Sequence, residues 1–237
     1  MTTQAHVYKS TERSIIQSEI FSRYSIFNFD ERNEGVLPFG ILEALNDETL
    51  CPGNKVMRHV DQYMDIIIIP LSGTVVYKDS LGNKAIVETE QAGIFSVQEG
   101  MVYEIINMYE KSNVNYLQIW IKSDERNFNR QFRYKDFGNP EMNTLFPVFT
   151  GNKSQIPVLK TNSDSNGSIG VYNNGQGGRY VLKSPSYGLF AFVINGTFEF
   201  EGRKLQSRDA ISFNGISGAA YSALTENAAI LLLEIPF

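Results

Sequence analysis

Histidine and cysteine are nearly absent from this 237-residue chain, which has two of the first, His6 and His59, and one of the second, Cys51. A single cysteine forms no intrachain disulfide and no multi-cysteine zinc site. His6 lies in what reads as a flexible N-terminal arm, so a Ser-His-Asp arrangement would rest on His59 alone, and no G-x-S-x-G elbow accompanies it. Charge of one sign is not concentrated either. The 21 basic and 26 acidic residues sum to −5 without a Lys/Arg cluster among aromatics, which removes the electrostatic support for direct nucleic-acid binding. No window approaches the roughly 20 apolar residues of a membrane span, and MTTQAHVYKSTERSIIQ lacks a basic stretch followed by an apolar run. A cytoplasmic protein without membrane contact is the expectation. The glycine-rich run from Asn173 to Tyr180 has no following helix or lysine to cradle phosphate and reads as a mobile hairpin or loop.

What is present is β structure. Short runs rich in Ile, Val, Phe and Tyr recur between turn signals, at 65–71, 74–78, 85–88, 93–97, 116–121, 189–194, 197–201, 210–213 and 230–235. Few windows sustain a 3.6-residue period, so helices are expected to be short and peripheral. Asp79 to Asn83 separates two strand-like runs with residue types that favour tight turns.

The chain also repeats itself. IIIIPLSGTVVYKDSLGN, QAGIFSV and YLQIWI in the first half correspond to LFAFVINGTFEFEGRK, RDAISFN and ILLLEI in the second, with Gly73-Thr74 aligned on Gly196-Thr197. Two similar all-β halves are the simplest reading, the second with a shorter hairpin. The expected organisation is an N-terminal barrel with its arm over residues 1–123, a linker over 124–139 holding at most a short helix, and a C-terminal barrel over 140–237.

Gly53, His59, Asp61, Asp65 and Gly73, followed by Gly93, Gly100, Tyr103 and Asn107, fall at the spacings of the two cupin motifs. SRYSIFNFDE, LNDETLCPG, YKDSLGN and LQIWI resemble the pirin family of bicupins, and NGTFEFEGRKL, RDAISF and LLLEIPF resemble a pirin second domain. The resemblance implies two cupin-type barrels of the jelly-roll, double-stranded β-helix kind. It also implies a metal, iron or a similar divalent ion, held in the first barrel by three His and one Glu, and the quercetin-type dioxygenase activity that depends on it. The matching positions here are His59, Asp61, Tyr103 and Ile105.

Only the first of these four keeps the family's residue. Ile105 has no donor atom, Tyr103 would have to lose a proton with a reference pKa of roughly 10, and Asp61 is a harder ligand than imidazole. The expectation is therefore a degenerate site without a cofactor: a pocket lined by His59, Asp61, Tyr103, Ile105 and Asp65, in a non-enzymatic module. Its partner would be a small molecule or a protein, the chain itself a monomer or weak homodimer, and the family suggests a stress, redox or regulatory setting. A second reading keeps iron or another divalent transition metal on His59, Asp61 and Tyr103, with Glu104 alternating away, and retains a quercetinase-like oxidoreductase activity. Asp65 reads as a structural acceptor beside the site. Cys51 is a redox candidate if Lys55 or Arg58 lowers its pKa, and otherwise a small buried residue at a strand end. The second half has neither His nor Cys, so no metal is expected in it.

Overall fold

The computed structural model describes residues 4–27, 36–138, 141–151 and 154–237. Residues 28–31 of SRYSIFNFDE and the expected domain boundary at 139–140 lie outside them. The strands of the first half are β1 (Gln4–Tyr8), β2 (Ser14–Gln17), β3 (Phe21–Ser25), β4 (Leu42–Leu50), β5 (Lys55–His59), β6 (Met64–Ser72), β7 (Val75–Asp79), β8 (Lys84–Val87), β9 (Gln91–Val97), β10 (Val102–Ile106), β11 (Val114–Lys122) and β12 (Phe132–Asp136). Those of the second are β13 (Leu145–Gly151), β14 (Leu159–Thr161), β15 (Asn166–Tyr172), β16 (Gly177–Val181), β17 (Tyr187–Asn195), β18 (Thr197–Phe200), β19 (Arg203–Gln206), β20 (Ala210–Asn214), β21 (Gly218–Ala223) and β22 (Ala228–Pro236). Helix among the described residues is limited to two 3₁₀ turns, Ser10–Glu12 and Glu125–Asn127. The protein is all-β, two cupin-type halves in one chain.

The repeat in the sequence is a repeat in topology. One unit holds a sheet ordered β12-β9-β6-β11-β4-β3-β2 and a smaller one ordered β5-β10-β7-β8. The other holds β1-β20-β17-β22-β15-β13 and β16-β21-β18-β19, so β9-β6-β11-β4 and β20-β17-β22-β15 correspond strand for strand. The Ile66–Ile69 run is buried throughout because β6 sits between β9 and β11 with both faces covered. Each such side chain contributes about 1.5–3 kcal/mol on burial. Gly73 and Gly196 open the matching hairpins at φ 76° and 79°, a region that disfavours side chains. A Cβ on Gly73 would lie 2.9 Å from Val114 Cγ1, and one on Gly196 would lie 2.6 Å from Thr225 Oγ1.

The compact units do not follow the repeat boundary. One consists of Ser14–Gly138 with Leu159–Ser163, the other of Met1–Arg13, Asn139–Val158 and Asp164–Phe237. Three local expectations are corrected. His6 is not in a loose arm: β1 pairs along its whole length with β20, placing His6 opposite Ser212. The 124–139 segment is more than a connection, since Asp124 caps a 3₁₀ turn by accepting from Arg126 N at 3.0 Å, and β12 then adds an edge strand to β9. The Asn173–Tyr180 run is not all loop: Gly177 starts β16, which pairs with β21.

Candidate functional site

Both barrels carry a buried carboxylate among their apolar side chains. The core of the second includes Leu189, Phe198, Phe200, Leu205 and Phe213, with Glu234 on the same face of β22 as Ile230 and Leu232, accepting from Asn166 Nδ2 at 2.8 Å, Tyr180 Oη at 3.0 Å and Lys183 N at 2.6 Å. In the first, β4 and β11 lie side by side, pairing Asn46 with Gln118 and Glu48 with Tyr116. Directly opposed residues of an antiparallel pair share a face, and the same face carries Ala44, Leu50, Val114 and Trp120 of the core. Polar side chains are therefore aimed inward.

These side chains bind one another. Tyr116 donates its hydroxyl to Glu48 Oε2 at 2.6 Å, and Arg58 Nη2 reaches Glu48 Oε1 at 3.2 Å. Glu48 is fully buried and the Arg58 side chain only 16% exposed, so this is an interior ion pair, with the guanidinium also over the Phe21 ring at 5.2 Å. Burial opposes the Arg58 charge, but Glu48 beside it prevails and holds its pKa above the ordinary value. Gln118 Oε1 accepts from Tyr103 Oη at 3.0 Å and from Trp120 Nε1 at 2.8 Å. This fixes the amide and leaves Gln118 Nε2 without an acceptor among the described residues; Asn46 Oδ1 and Nδ2, also buried, have no partner among them either. Burial pushes the Tyr103 and Tyr116 hydroxyls well above the usual phenol range, for Tyr116 with help from the Glu48 charge, so both act as neutral donors.

Register separates the residues expected to meet. On β10, Tyr103 opposes Arg58 and Ile105 opposes Val56, all on the inner face, whereas His59 opposes Val102. His59 thus lies on the other face of the sheet from Tyr103, and both His59 and Asp61 are exposed. Tyr103 and Ile105 are fully buried. Asp65 is buried elsewhere, its carboxylate accepting from Ser96 Oγ at 2.7 Å, Asn162 N at 2.6 Å and Asn162 Nδ2 at 2.8 Å. Among the described residues no three His, Cys, Asp or Glu side chains converge as a metal-holding group.

Residues 9–121 match the family model described as Pirin, and residues 151–235 match the one described as the quercetinase C-terminal cupin domain. This chain belongs to the pirin family. The solved structures it resembles include the bacterial pirin YhhW of Escherichia coli in complex with nickel(II), at a TM-score of 0.87 and 18% identity over 98% of this chain and 99% of that one. Among curated relatives, a Zymomonas mobilis protein provisionally named a quercetin 2,3-dioxygenase is 24% identical over 90% of this chain and 87% of its own length. An Escherichia coli protein named quercetin 2,3-dioxygenase is 27% identical over 48% of each chain.

Two other features of this pirin bear on the sequence reading. Cys51 is half-buried rather than fully enclosed, its thiol 3.6 Å from Glu19 O. The cations near it in sequence are engaged elsewhere, Lys55 with Glu104 and Arg58 with Glu48. The inward polar residues Asn46, Glu48, Arg58 and Gln118 escaped sequence reasoning. Their signal was the alternation itself: Asn46 and Glu48 fall at even spacing from Ala44 and Leu50, and Gln118 between Tyr116 and Trp120.

Proposed function

We propose that this chain is a pirin-family bicupin that works without a metal in its first barrel, as a non-enzymatic module that binds a small molecule or a protein partner. One observation carries the reading. The position matching the family's third histidine holds Tyr103, whose neutral hydroxyl is already given to Gln118 Oε1 inside the barrel. The other three positions agree with it: Ile105 has no ligating atom, His59 lies on the opposite face of the sheet from Tyr103, and Asp61 is exposed beyond the end of β5. An exposed imidazole on the opposite face from a buried phenol, with an exposed carboxylate beyond the strand end, does not form the convergent set that iron or nickel requires. The family's metal does not fit these residues.

A second reading, a quercetin 2,3-dioxygenase with a reduced metal site on His59 and Asp61, is favoured by the names its relatives carry. Metal analysis of the tag-free protein after incubation with Fe(II), Mn(II) and Ni(II), together with quercetin turnover, separates the two. The proposal expects substoichiometric metal, unchanged in His59→Ala, and no turnover. Near-stoichiometric metal that disappears in His59→Ala would establish the second reading in its place.

A further inference from the structure

The C-terminal barrel, expected from its sequence to carry no site, has a cavity of about 540 Å³ lined by Arg179, Glu201 and Arg203, with Ala5, Phe213 and Ile216 as apolar wall. Ligand pockets of small molecules span about 300–1,000 Å³. Its charged groups are positioned by backbone. Strand β16 lies so close to β21 that a side chain at Gly177 would overlap the Tyr221 carbonyl, and one at Gly218 the Tyr180 carbonyl. That approach sets Arg179 Nη2 3.3 Å from Gly218 O. Glu201 and Gly202 form the two-residue turn between β18 and β19, with φ 44° and 75°. A non-glycine residue in the left-handed region is held there at a cost, and here Glu201 Oε1 accepts from Ala220 N at 2.7 Å and stands 3.6 Å from Arg179 Nη1.

The donors left over point to the ligand. Arg203 Nη1 donates to Glu201 O at 3.2 Å, while among the described residues its Nε and Nη2 have no protein acceptor. Arg179 stands against the Glu201 carboxylate while Arg203 holds only its main-chain oxygen, so the three side chains leave one net positive charge at the cavity. A planar fork with open N–H groups suits a carboxylate, and the second oxygen of Glu201 suits a hydroxyl donor while repelling a second negative charge. Ala5 and Ile216, both half-buried, supply an apolar contact for a ring, with Phe213 buried behind them in the barrel core.

We infer that this cavity binds a ring-bearing monocarboxylate, its carboxylate on Arg203 and Arg179, its ring against Ala5 and Ile216, and a ring hydroxyl on Glu201. The site is independent of the metal question in the first barrel. The test is titration of the full-length chain with 4-hydroxybenzoate, benzoate and inorganic phosphate by calorimetry and ligand-observed NMR. Saturable binding is expected in the order 4-hydroxybenzoate, benzoate, phosphate, with Arg203→Gln weakening the first about tenfold or more. Arg203 is exposed at the hairpin end, so an unchanged circular dichroism spectrum of Arg203→Gln accompanies that loss. Absence of saturable binding by either aromatic acid at millimolar concentration, binding undiminished in both Arg203→Gln and Arg179→Gln, or phosphate binding as tightly as the acids would each overturn the inference.

Discussion

At the scale of single residues, the first barrel concentrates its energetic risk in a few polar side chains. Glu48 holds both Arg58 and Tyr116, so Glu48→Ala leaves a buried guanidinium and a buried hydroxyl without their acceptor. Breaking a buried pair from one side costs about 3–5 kcal/mol, whereas replacing both partners by hydrocarbon of similar volume is often neutral or stabilising. Urea unfolding should therefore show Glu48→Ala severely destabilised and the double variant Glu48→Leu/Arg58→Met close to the parent. A double variant as weak as the single one would contradict this account. Asn46 supplies the converse case. Its amide makes no hydrogen bond among the described residues, and an unsatisfied buried polar group costs about 1–3 kcal/mol. Asn46→Leu should raise the urea midpoint; a lowered midpoint would mean that an ordered water or ligand holds the amide.

At the scale of elements, two carboxylates fasten segments that come from far along the chain. Asp209 receives Lys9 Nζ at 3.0 Å, Ser10 N at 2.8 Å and Gln206 N at 3.0 Å, fixing the residues that follow β1. Asp65 receives Asn162, whose Oδ1 in turn accepts from Asn129 N at 2.7 Å, fixing the residues that follow β14. The two titrate in opposite senses. Burial works against the Asp209 charge, yet the Ser10, Gln206 and Lys9 donors hold its pKa below the usual carboxylate value. Its stabilisation is present above the unfolded value of roughly 3.9 and is lost as pH falls through the lower folded pKa. For Asp65, burial outweighs the Ser96 and Asn162 donors and raises the pKa. That contribution is full below roughly 3.9 and is lost as pH rises through the raised folded value. In a pH series of urea unfolding, Asp65→Asn should gain on the parent as pH rises through that window. Asp209→Asn should lose about 1.5–3 kcal/mol near neutrality, with the deficit shrinking in acid. Matching pH dependence of the two variants would refute the assignment.

How far the sequence could be read differs by element for the same physical reason. Strands β6, β7, β9, β11, β17, β18, β20 and β22 were legible because apolar runs between turn residues are what a covered strand needs, and Gly73 and Gly196 marked the repeat. Strand β4 was not, because LEALNDETL places Asn and Glu inward and Asp outward, residue types depleted in strands. The site was half legible. Spacing located Tyr103 and Ile105 on an inner face, but the register of β5 against β10, which turns Arg58 inward and His59 out, is a pairing that no local pattern specifies. Nor did local pattern bring Arg179, Glu201 and Arg203 together, since they come from β16, a turn and β19.

At the scale of the whole molecule, the units are built from non-contiguous chain, and this predicts how the protein fails when cut. Separation at the repeat boundary gives residues 1–138 and 139–237, and each piece lacks part of its unit. The second loses β1, which covers β20 over five paired residues, and loses both Lys9 and Ser10 from Asp209. An uncovered edge strand offers its N–H and C=O groups to another chain, so fragment 139–237 should run as oligomers on size exclusion. A synthetic peptide of residues 1–13 supplies the missing strand, and strand addition to an open edge is a recognised binding mode. The peptide should shift the fragment toward monomer, and a peptide with Val7→Pro, which deletes a strand N–H and fixes φ, should not. The Asp209→Asn fragment should need about tenfold more peptide, the loss of one charge-assisted anchor. A fragment that is monomeric alone and indifferent to the peptide would show that β20 does not depend on its distant partner, and that the repeat boundary is the true boundary of the fold.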